Sequence, residues 1–294
     1  MSETGPRRLT DSWKLGDITV PNRVVLAPLA GIGNWFVRLQ ARRFGAGLVV
    51  SEMVSSFGVH HGNERTTREM LRVHPDEHPV SLQLFGADPE VMRSAAATVA
   101  AAGVDLIDLN MGCPVPKVCK TGAGAALLHE PDRAVAVARA AREGSGLPVT
   151  VKLRSGATPG DRSGAVLAHR LVDEAGVAAI GFHPRHAAQH HKGTPDYELA
   201  AELVDELPVP VLISGGLREV EPSADEVLDE LDWVMDCAGE HFGPERAARY
   251  LRKFYPWYVE RLGADKALQQ RLMTTQTVQA ARAELESLQF SEAA

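Results

Sequence analysis

Leu106–Gly122 reads LIDLNMGCPVPKVCKTG. Its first six residues set Leu, Ile, Leu and Met against Asp108 and Asn110, the pattern of a short strand whose two faces differ. Gly112-Cys113-Pro114 ends it, because proline cannot donate to a sheet ladder and glycine weakens one. The strand therefore delivers one thiol, Cys113, to its C-terminal end, and a loop carrying Lys117 and Lys120 follows. A lone strand-end cysteine is by default a small buried hydrophobe. Its company along the chain decides otherwise.

Six further apolar runs flank it: Val24–Ala30, Leu48–Val54, Val80–Phe85, Val149–Leu153, Ala179–His183 and Val211–Ser214. Helix-like stretches separate them. Asn34 caps one that runs from Trp35 to Gly45, and Asp88-Pro89 opens an alanine-rich one ending at Gly103. Others span Ala134–Arg142, Ala165–Ala175 (stopped by Gly176) and Tyr197–Leu207. Residues before Val24 read as a polar leader, and 55–78 as a long loop.

Strands alternating with helices imply βαβ units and a parallel sheet. Seven such runs favour a closed barrel over an open doubly wound sheet, and no GxGxxG follows the first strand. The expected fold is α/β: a (β/α)8-type TIM barrel lacking a recognisable eighth strand, plus a C-terminal all-helical domain. The barrel takes residues 1–221 and the helical domain and tail 222–294. Ser223-Ala-Asp-Glu226 opens the latter as a capping box, and Gly243-Pro244 and Gly263 break it before Leu288.

The 294 residues are 45% apolar and 23% charged, a globular composition. No apolar run reaches the roughly 20 residues of a membrane span, and no signal segment precedes Pro6-Arg7-Arg8. Cys113, Cys119 and Cys237 show no zinc spacing and cannot all pair, which suits a reducing cytoplasm. The net charge of −7 is misleading, since residues 222–243 hold seven acids and no Lys or Arg. The rest of the chain is neutral. Arg246, Arg249, Arg252, Lys253 and Arg261 then face only Glu245 and Glu260. Local charge is therefore the informative quantity.

A parallel barrel carries its active site at the C-terminal ends of its strands. Those ends hold Pro28 and Ala30, Glu52, Gln83, Asn110 with Cys113, Lys152 with Arg154, His183 with Arg185, and Ser214-Gly215-Gly216. Singly, Lys152 reads equally well as a solvated lysine, His183 as a core histidine and Gln83 as a loop hydrogen-bonder. Jointly they converge on one face. A cationic thiol site without metal spacing suits a flat anionic cofactor and proton transfer.

Ala27–Gly31 (APLAG), Val50–Val54 (VSEMV), Gln83–Gly86 (QLFG), Asp108–Pro114 (DLNMGCP), Val151–Arg154 (VKLR), residues 183–196 (HPRHAAQHHKGTPD) and Ile213–Gly216 (ISGG) follow one another in a familiar order. The chain resembles the bacterial FMN-dependent tRNA-dihydrouridine synthases from about Leu15 to Arg218, and again from Ser223 to about Leu262. NMGCP with its lysines is the most specific motif. Other flavin barrels use similar Lys and His positions.

The resemblance implies a flavoprotein oxidoreductase in which NADPH reduces FMN and uridines of tRNA become 5,6-dihydrouridine. Cys113 would be the general acid. Pro28, Leu29 and Ala30 would hold the flavin ring, and Gln83 its pyrimidine edge. Lys152 and His183 would be further flavin contacts, with Ser214, Gly215 and Gly216 at the phosphate. Asn110, Lys117, Lys120, Arg154, Arg185, Arg249, Arg252 and Lys253 would meet the tRNA. A base stacked inside tRNA must be turned out to be reached. The basic, aromatic stretch around Arg246–Arg261, with Tyr250, Phe254, Tyr255, Trp257 and Tyr258, is the expected RNA grip. Its other reading is an amphipathic helix burying its aromatics. A monomer is expected, or an oligomer if another chain fills the barrel.

One departure stands out. The family pattern continues with an eighth strand and a Gly-Arg-Gly-type phosphate loop. About 40 residues of it have no counterpart between Arg218 and Ser223, judging by the size of a βαβ unit. The barrel would then stop at seven strands, or take a filling from the acidic helix or another chain. Otherwise the chain is a shortened form that binds flavin weakly or not at all. The competing functions are a flavin-free RNA-binding homologue and an FMN barrel acting on a small pyrimidine.

Overall fold

The computed structural model describes residues 8–64, 66–216 and 224–286. They form two compact units, one ending at Leu217 and the other beginning at Arg218. The boundary expected at 221/222, the capping box at Ser223 and the gap between Arg218 and Ser223 lie outside the described residues.

The first unit opens with an antiparallel hairpin, β1 (Trp13–Leu15) and β2 (Ile18–Val20), where the sequence suggests only a polar leader. WKLGDITV in fact alternates around a Gly-Asp turn, a hairpin signal. Seven parallel strands follow: β3 (Val25–Leu26), β4 (Leu48–Ser55), β5 (Val80–Phe85), β6 (Leu106–Met111), β7 (Val149–Arg154), β8 (Ala179–His183) and β9 (Val211–Ile213). They pair strictly in chain order and curl into a nearly closed barrel. Among the described residues no strand bridges β9 to β3. The expected first strand, Val24–Ala30, shrinks to two residues, because Pro28 has no N–H for the ladder.

The intervening helices are α1 (Trp35–Arg43), α2 (Ser56–His60), α3 (Pro89–Ala101), α4 (Pro116–Cys119), α5 (Pro131–Ser145), α6 (Ser163–Arg170) and α7 (Tyr197–Glu206). Asn34 caps α1 through Val37 N, and Asp88 caps α3 through Glu90 N and Val91 N. The stretch after α6 widens into a π-helical turn, Leu171–Ala175, and stops at Gly176. Two expected loops are partly helical: 55–78 contains α2, and the segment after Cys113 contains α4.

Leu48, Leu106 and Ala179 begin alternate strands and meet Leu15 and Val20 of the hairpin in one cluster. The hairpin thus plugs the N-terminal end of the barrel, in the layered way such interiors fill. The apolar outer faces of the strands pack against α3, α5 and α6 in a second, larger cluster. The C-terminal mouth is left to polar side chains.

The second unit holds α8 (Ala224–Phe242), α9 (Pro244–Leu251), α10 (Tyr255–Arg261), α11 (Lys266–Thr274) and α12 (Val278–Glu286). Gly243 and Gly263 break it as expected. Pro256 adds a further break: a proline fits only the first turn of a helix, so the basic aromatic stretch becomes two helices. No described helix is long and apolar enough to cross a membrane.

Candidate active site

Parallel register aligns the mouth. Gln83 of β5 pairs with Asp108 of β6, which pairs with Thr150 of β7; one layer higher, Asn110 pairs with Lys152. Partners in register point to the same side, so these side chains share the interior.

Cys113 is clamped through its backbone. Its N–H donates to Asn110 Oδ1 at 2.9 Å, and its carbonyl accepts from Ala125 N at 3.0 Å and Cys119 Sγ at 3.4 Å. The carbonyl is reachable only because residue 124 is glycine. Gly124 has a φ of +61°, and a Cβ there would lie 2.6 Å from Cys113 O. The thiol is half-buried, at the rim.

Beneath it the amides form a chain. Asn110 Nδ2 donates to Gln83 Oε1 at 2.9 Å, and Gln83 Nε2 donates to Asp108 Oδ2 at 2.6 Å. Asp108 Oδ1 accepts from Thr150 Oγ1. Gln83 N donates to Ser51 Oγ at 2.9 Å, where β4 shifts register by a bulge. The same bulge turns Glu52 toward the loop after β3, where its Oε2 accepts from Gly31 N at 2.8 Å. That bond steadies the Pro28–Ala30 segment, in which Leu29 and Ala30 are exposed.

The opposite wall is cationic. Lys152 Nζ donates to Ser214 Oγ at 3.0 Å. Burial pushes its ammonium down to about 8; Asp108 opposes the fall and Arg154 adds to it. Burial lifts the Asp108 carboxyl to about 6, against hydrogen bonds from Thr150 and Gln83 and the charge of Lys152. His183 is driven to about 3, by burial first and then by Lys152, Arg154, Arg185 and His191. It is neutral at pH 7. Arg185 Nη1 can only donate, so His183 Nε2, 3.1 Å away, accepts and the ring proton sits on Nδ1.

Arg154 and Arg185, expected at the strand ends around the mouth and against the tRNA, are 5% and 8% exposed. Arg154 Nη1 donates to His190 O at 2.8 Å, and Arg185 Nη2 to Gly193 O at 2.7 Å. Each lies at a strand end on the barrel's inner side, Arg154 two residues after Lys152 and so on the same face of β7. Arg154 is within electrostatic reach of Cys113. Lys117 and Lys120 are exposed at α4.

These residues fit a flavin mononucleotide. Gly215, at a φ of +97°, comes so close to the mouth that a Cβ would lie 2.4 Å from His183 Nε2. Bare backbone there can approach a phosphate. Lys152, Arg154 and His183 are all held below their ordinary values by burial and by repulsion from neighbouring cations, which for Arg154 is Arg185. An anionic, electron-rich ligand relieves that repulsion. No group of acids, histidines and cysteines suited to a metal ion occurs among the described residues.

In the helical unit, Arg249 and Lys253 are exposed, with Lys253 Nζ 4.6 Å from the Tyr250 ring centre. Arg252 differs, since its Nη2 donates to Thr275 O at 3.1 Å. Phe254 and Tyr255 are buried, while Trp257 is 50% exposed. The stretch thus buries some of its aromatics and leaves Arg249 and Lys253 exposed.

Two participants escape a reading of the sequence. Asp108 hides within the DLNMGCP motif, where only strand register shows that it meets Gln83 and Thr150. Tyr197, whose hydroxyl donates to Gly215 O at 2.9 Å, belongs to a helix start with no local signal of its role.

The sequence pattern of the family described as Dihydrouridine synthase (Dus) matches residues 25–244. The tRNA-dihydrouridine synthase B of Pseudomonas aeruginosa is 36% identical over 217 residues, covering 74% of this chain and 64% of that protein. The chain thus spans slightly less than two thirds of that relative. The Xanthomonas campestris pv. campestris protein of the same name is 35% identical over 224 residues, 76% of this chain and 67% of its own. A probable tRNA-dihydrouridine synthase of Mycobacterium tuberculosis is 31% identical over 318 positions, covering 90% of this chain and 81% of its own. Among solved structures, morphinone reductase superposes with a TM-score of 0.54 at 14% identity, over 74% of this chain and 82% of that one. A variant of NCR from Zymomonas mobilis gives 0.53 at 16% identity, over 94% and 98%. These two likenesses concern the barrel fold alone.

Proposed function

Because this chain belongs to the dihydrouridine synthase family, we propose that it reduces uridines of tRNA to 5,6-dihydrouridine, with FMN as cofactor and NADPH as reductant, in the cytoplasm. The observation that carries this reading is the clamped Cys113 at the rim of a polar, cationic mouth. Pro28, Leu29 and Ala30 would hold the flavin ring and Gln83 its pyrimidine edge. Lys152 and His183 would flank it, and Ser214, Gly215 and Gly216 would take the phosphate end. When bound, this cofactor supplies the hydride that reaches one carbon of the uracil double bond.

The chain's own residues supply the rest. Cys113 gives its proton to the neighbouring carbon, which completes the reduction and leaves a thiolate that regains a proton from water. Arg154, within electrostatic reach, stabilises that thiolate while it lasts. The Lys152 ammonium offsets negative charge beside it. Neutral His183 accepts from Arg185 and so keeps that guanidinium inside the mouth, where it can meet the uracil. Asn110 serves the substrate side by fixing the Cys113 loop.

Lys117 and Lys120 in the barrel unit, and Arg249 and Lys253 in the helical unit, are exposed cations suited to phosphates. Arg249→Glu with Lys253→Glu is expected to weaken tRNA binding about tenfold near 0.1 M salt, and to flatten the salt dependence. Filter binding across a KCl series checks this. An unchanged affinity, or a loss independent of salt, removes α9 from RNA contact.

A second reading, a flavin-free RNA-binding homologue, is favoured by one observation. The alignment of 318 positions with the Mycobacterium tuberculosis relative draws on 90% of a 294-residue chain, so stretches of that relative face no residue here. The FMN barrel for a small pyrimidine is favoured by nothing comparable. Two measurements decide between the first two: FMN titration of the purified protein, and position-resolved mass spectrometry of tRNA from cells with and without the gene. A bound flavin and a lost dihydrouridine support the enzyme. Absence of both supports the binding protein.

A further inference from the structure

We propose that Asp108 is a positioning residue that sets the direction of a hydrogen-bond relay through Gln83 and Asn110 and thereby holds the Cys113 loop. The proposal rests on reading Cys113 as the proton donor. Its geometry stands apart from that reading.

The two ends of the relay are fixed by chemistry. The Cys113 and Gly112 amides can only donate, and they approach Asn110 Oδ1 at 2.9 and 3.3 Å. Asn110 must therefore turn its Nδ2 toward Gln83, which must answer with Oε1. That leaves Gln83 Nε2 pointing at residue 108, where a carboxylate can only accept. Two consecutive side-chain amide orientations, those of Gln83 and Asn110, follow from one acid three links from Cys113. Asp108 is 5% exposed and Gln83 fully buried, so neither can exchange its partner for bulk water.

Without an acceptor at 108, the buried Gln83 Nε2 has nothing to donate to, a costly state. Turning Gln83 over relieves it, by placing Nε2 toward Asn110. Asn110 must then turn as well, setting its Nδ2 against the Cys113 and Gly112 N–H groups. Donor then faces donor and the loop loses its hold.

Asp108 also faces Lys152, so its charge must be separated from its role as acceptor. Asp108→Asn and Asp108→Leu do this. Both are close in shape to aspartate and both remove the charge, yet only Asn keeps an oxygen for Gln83. The first readout is alkylation of Cys113 by iodoacetamide in the flavin-loaded protein, followed by mass spectrometry with Cys237 as internal reference. Asp108→Asn is expected within about twofold of wild type and Asp108→Leu about tenfold faster, the factor that about 1.4 kcal/mol of lost loop stability gives. The second readout is tRNA reduction: kcat should fall up to about 100-fold in the Leu variant with KM little changed, and stay within about fivefold in the Asn variant.

Equal behaviour of Asn and Leu overturns the relay and leaves charge as the role of Asp108. Should Asp108→Leu not fold, Gln83→Met cuts the relay at its middle and leaves the Asp108 charge in place; because Gln83 also stands at the flavin, this variant is compared with wild type in flavin-free protein. Faster alkylation is again expected, and a wild-type rate overturns the proposal. Absence of tRNA turnover in the wild type would count against the proposed function alone, because the alkylation order needs no tRNA.

Discussion

Cys113→Ala is expected to slow tRNA reduction by about 10²–10⁴-fold, the range a positioned general acid contributes. The substitution removes the sulfur and its proton and little else. The backbone bonds to Asn110 Oδ1 and Ala125 N do not use the side chain, so the loop and the mouth beneath should persist. Flavin binding and its bleaching by NADPH should therefore stay within about twofold of wild type, since neither needs the acid. Rapid mixing separates the halves: one syringe tests NADPH against the protein, the other tests tRNA against the reduced protein. A variant that oxidises at the wild-type rate on meeting tRNA would remove Cys113 from proton transfer. A variant that loses its flavin would show that the thiol is structural.

Glu77→Ala is expected to cost about 3–5 kcal/mol of stability, as breaking a buried ion pair does. Arg38 of α1 is fully buried, and its Nε and Nη2 reach the two Glu77 oxygens at 2.6 and 3.0 Å. Its remaining donors meet Gly33 O at 3.0 Å and Arg72 O at 2.8 Å. Glu77 also accepts from His74 N at 2.6 Å. The pair thus ties the loop after β3, α1 and the segment entering β5 into one block behind the mouth. Truncating Glu77 leaves a guanidinium charge in the interior without its counter-ion. Replacing both, Arg38→Met with Glu77→Leu, should recover most of the loss, because apolar packing substitutes well for a desolvated pair. Urea unfolding followed by tryptophan fluorescence checks both, and a single-variant loss below about 1 kcal/mol defeats the account.

The barrel was legible because a strand covered on both faces is written as an unbroken apolar run. Leu48, Val80, Leu106, Val149, Ala179 and Val211 each begin a strand where the sequence puts one. Asn34 and Asp88 cap their helices as read, since a cap is a local event. What escaped was non-local. Arg38 and Glu77 lie 39 residues apart, and nothing in either neighbourhood announces the other. Arg154 reaches His190 O, 36 residues on, a partner that no local pattern names. The role of Asp108 is not written in its own motif, because its partners lie on the strands beside it.

The strict chain order of the sheet bears on how the protein is made. Every strand pairs with its sequence neighbours, and no described pairing joins the last strand to the first. A barrel that must seal itself leaves its first strand waiting for its last. Here each unit can dock on the one before it as the chain leaves the ribosome, at about 5–20 residues per second. Each described pairing in the barrel spans a single βα unit. Only the hairpin breaks the sequence, since Leu15 and Val20 hold their places until Ala179 arrives to complete the cluster. Synthesis and folding can thus advance in step along the sheet, with the plug at its base closing well after the chain's first residues were laid down.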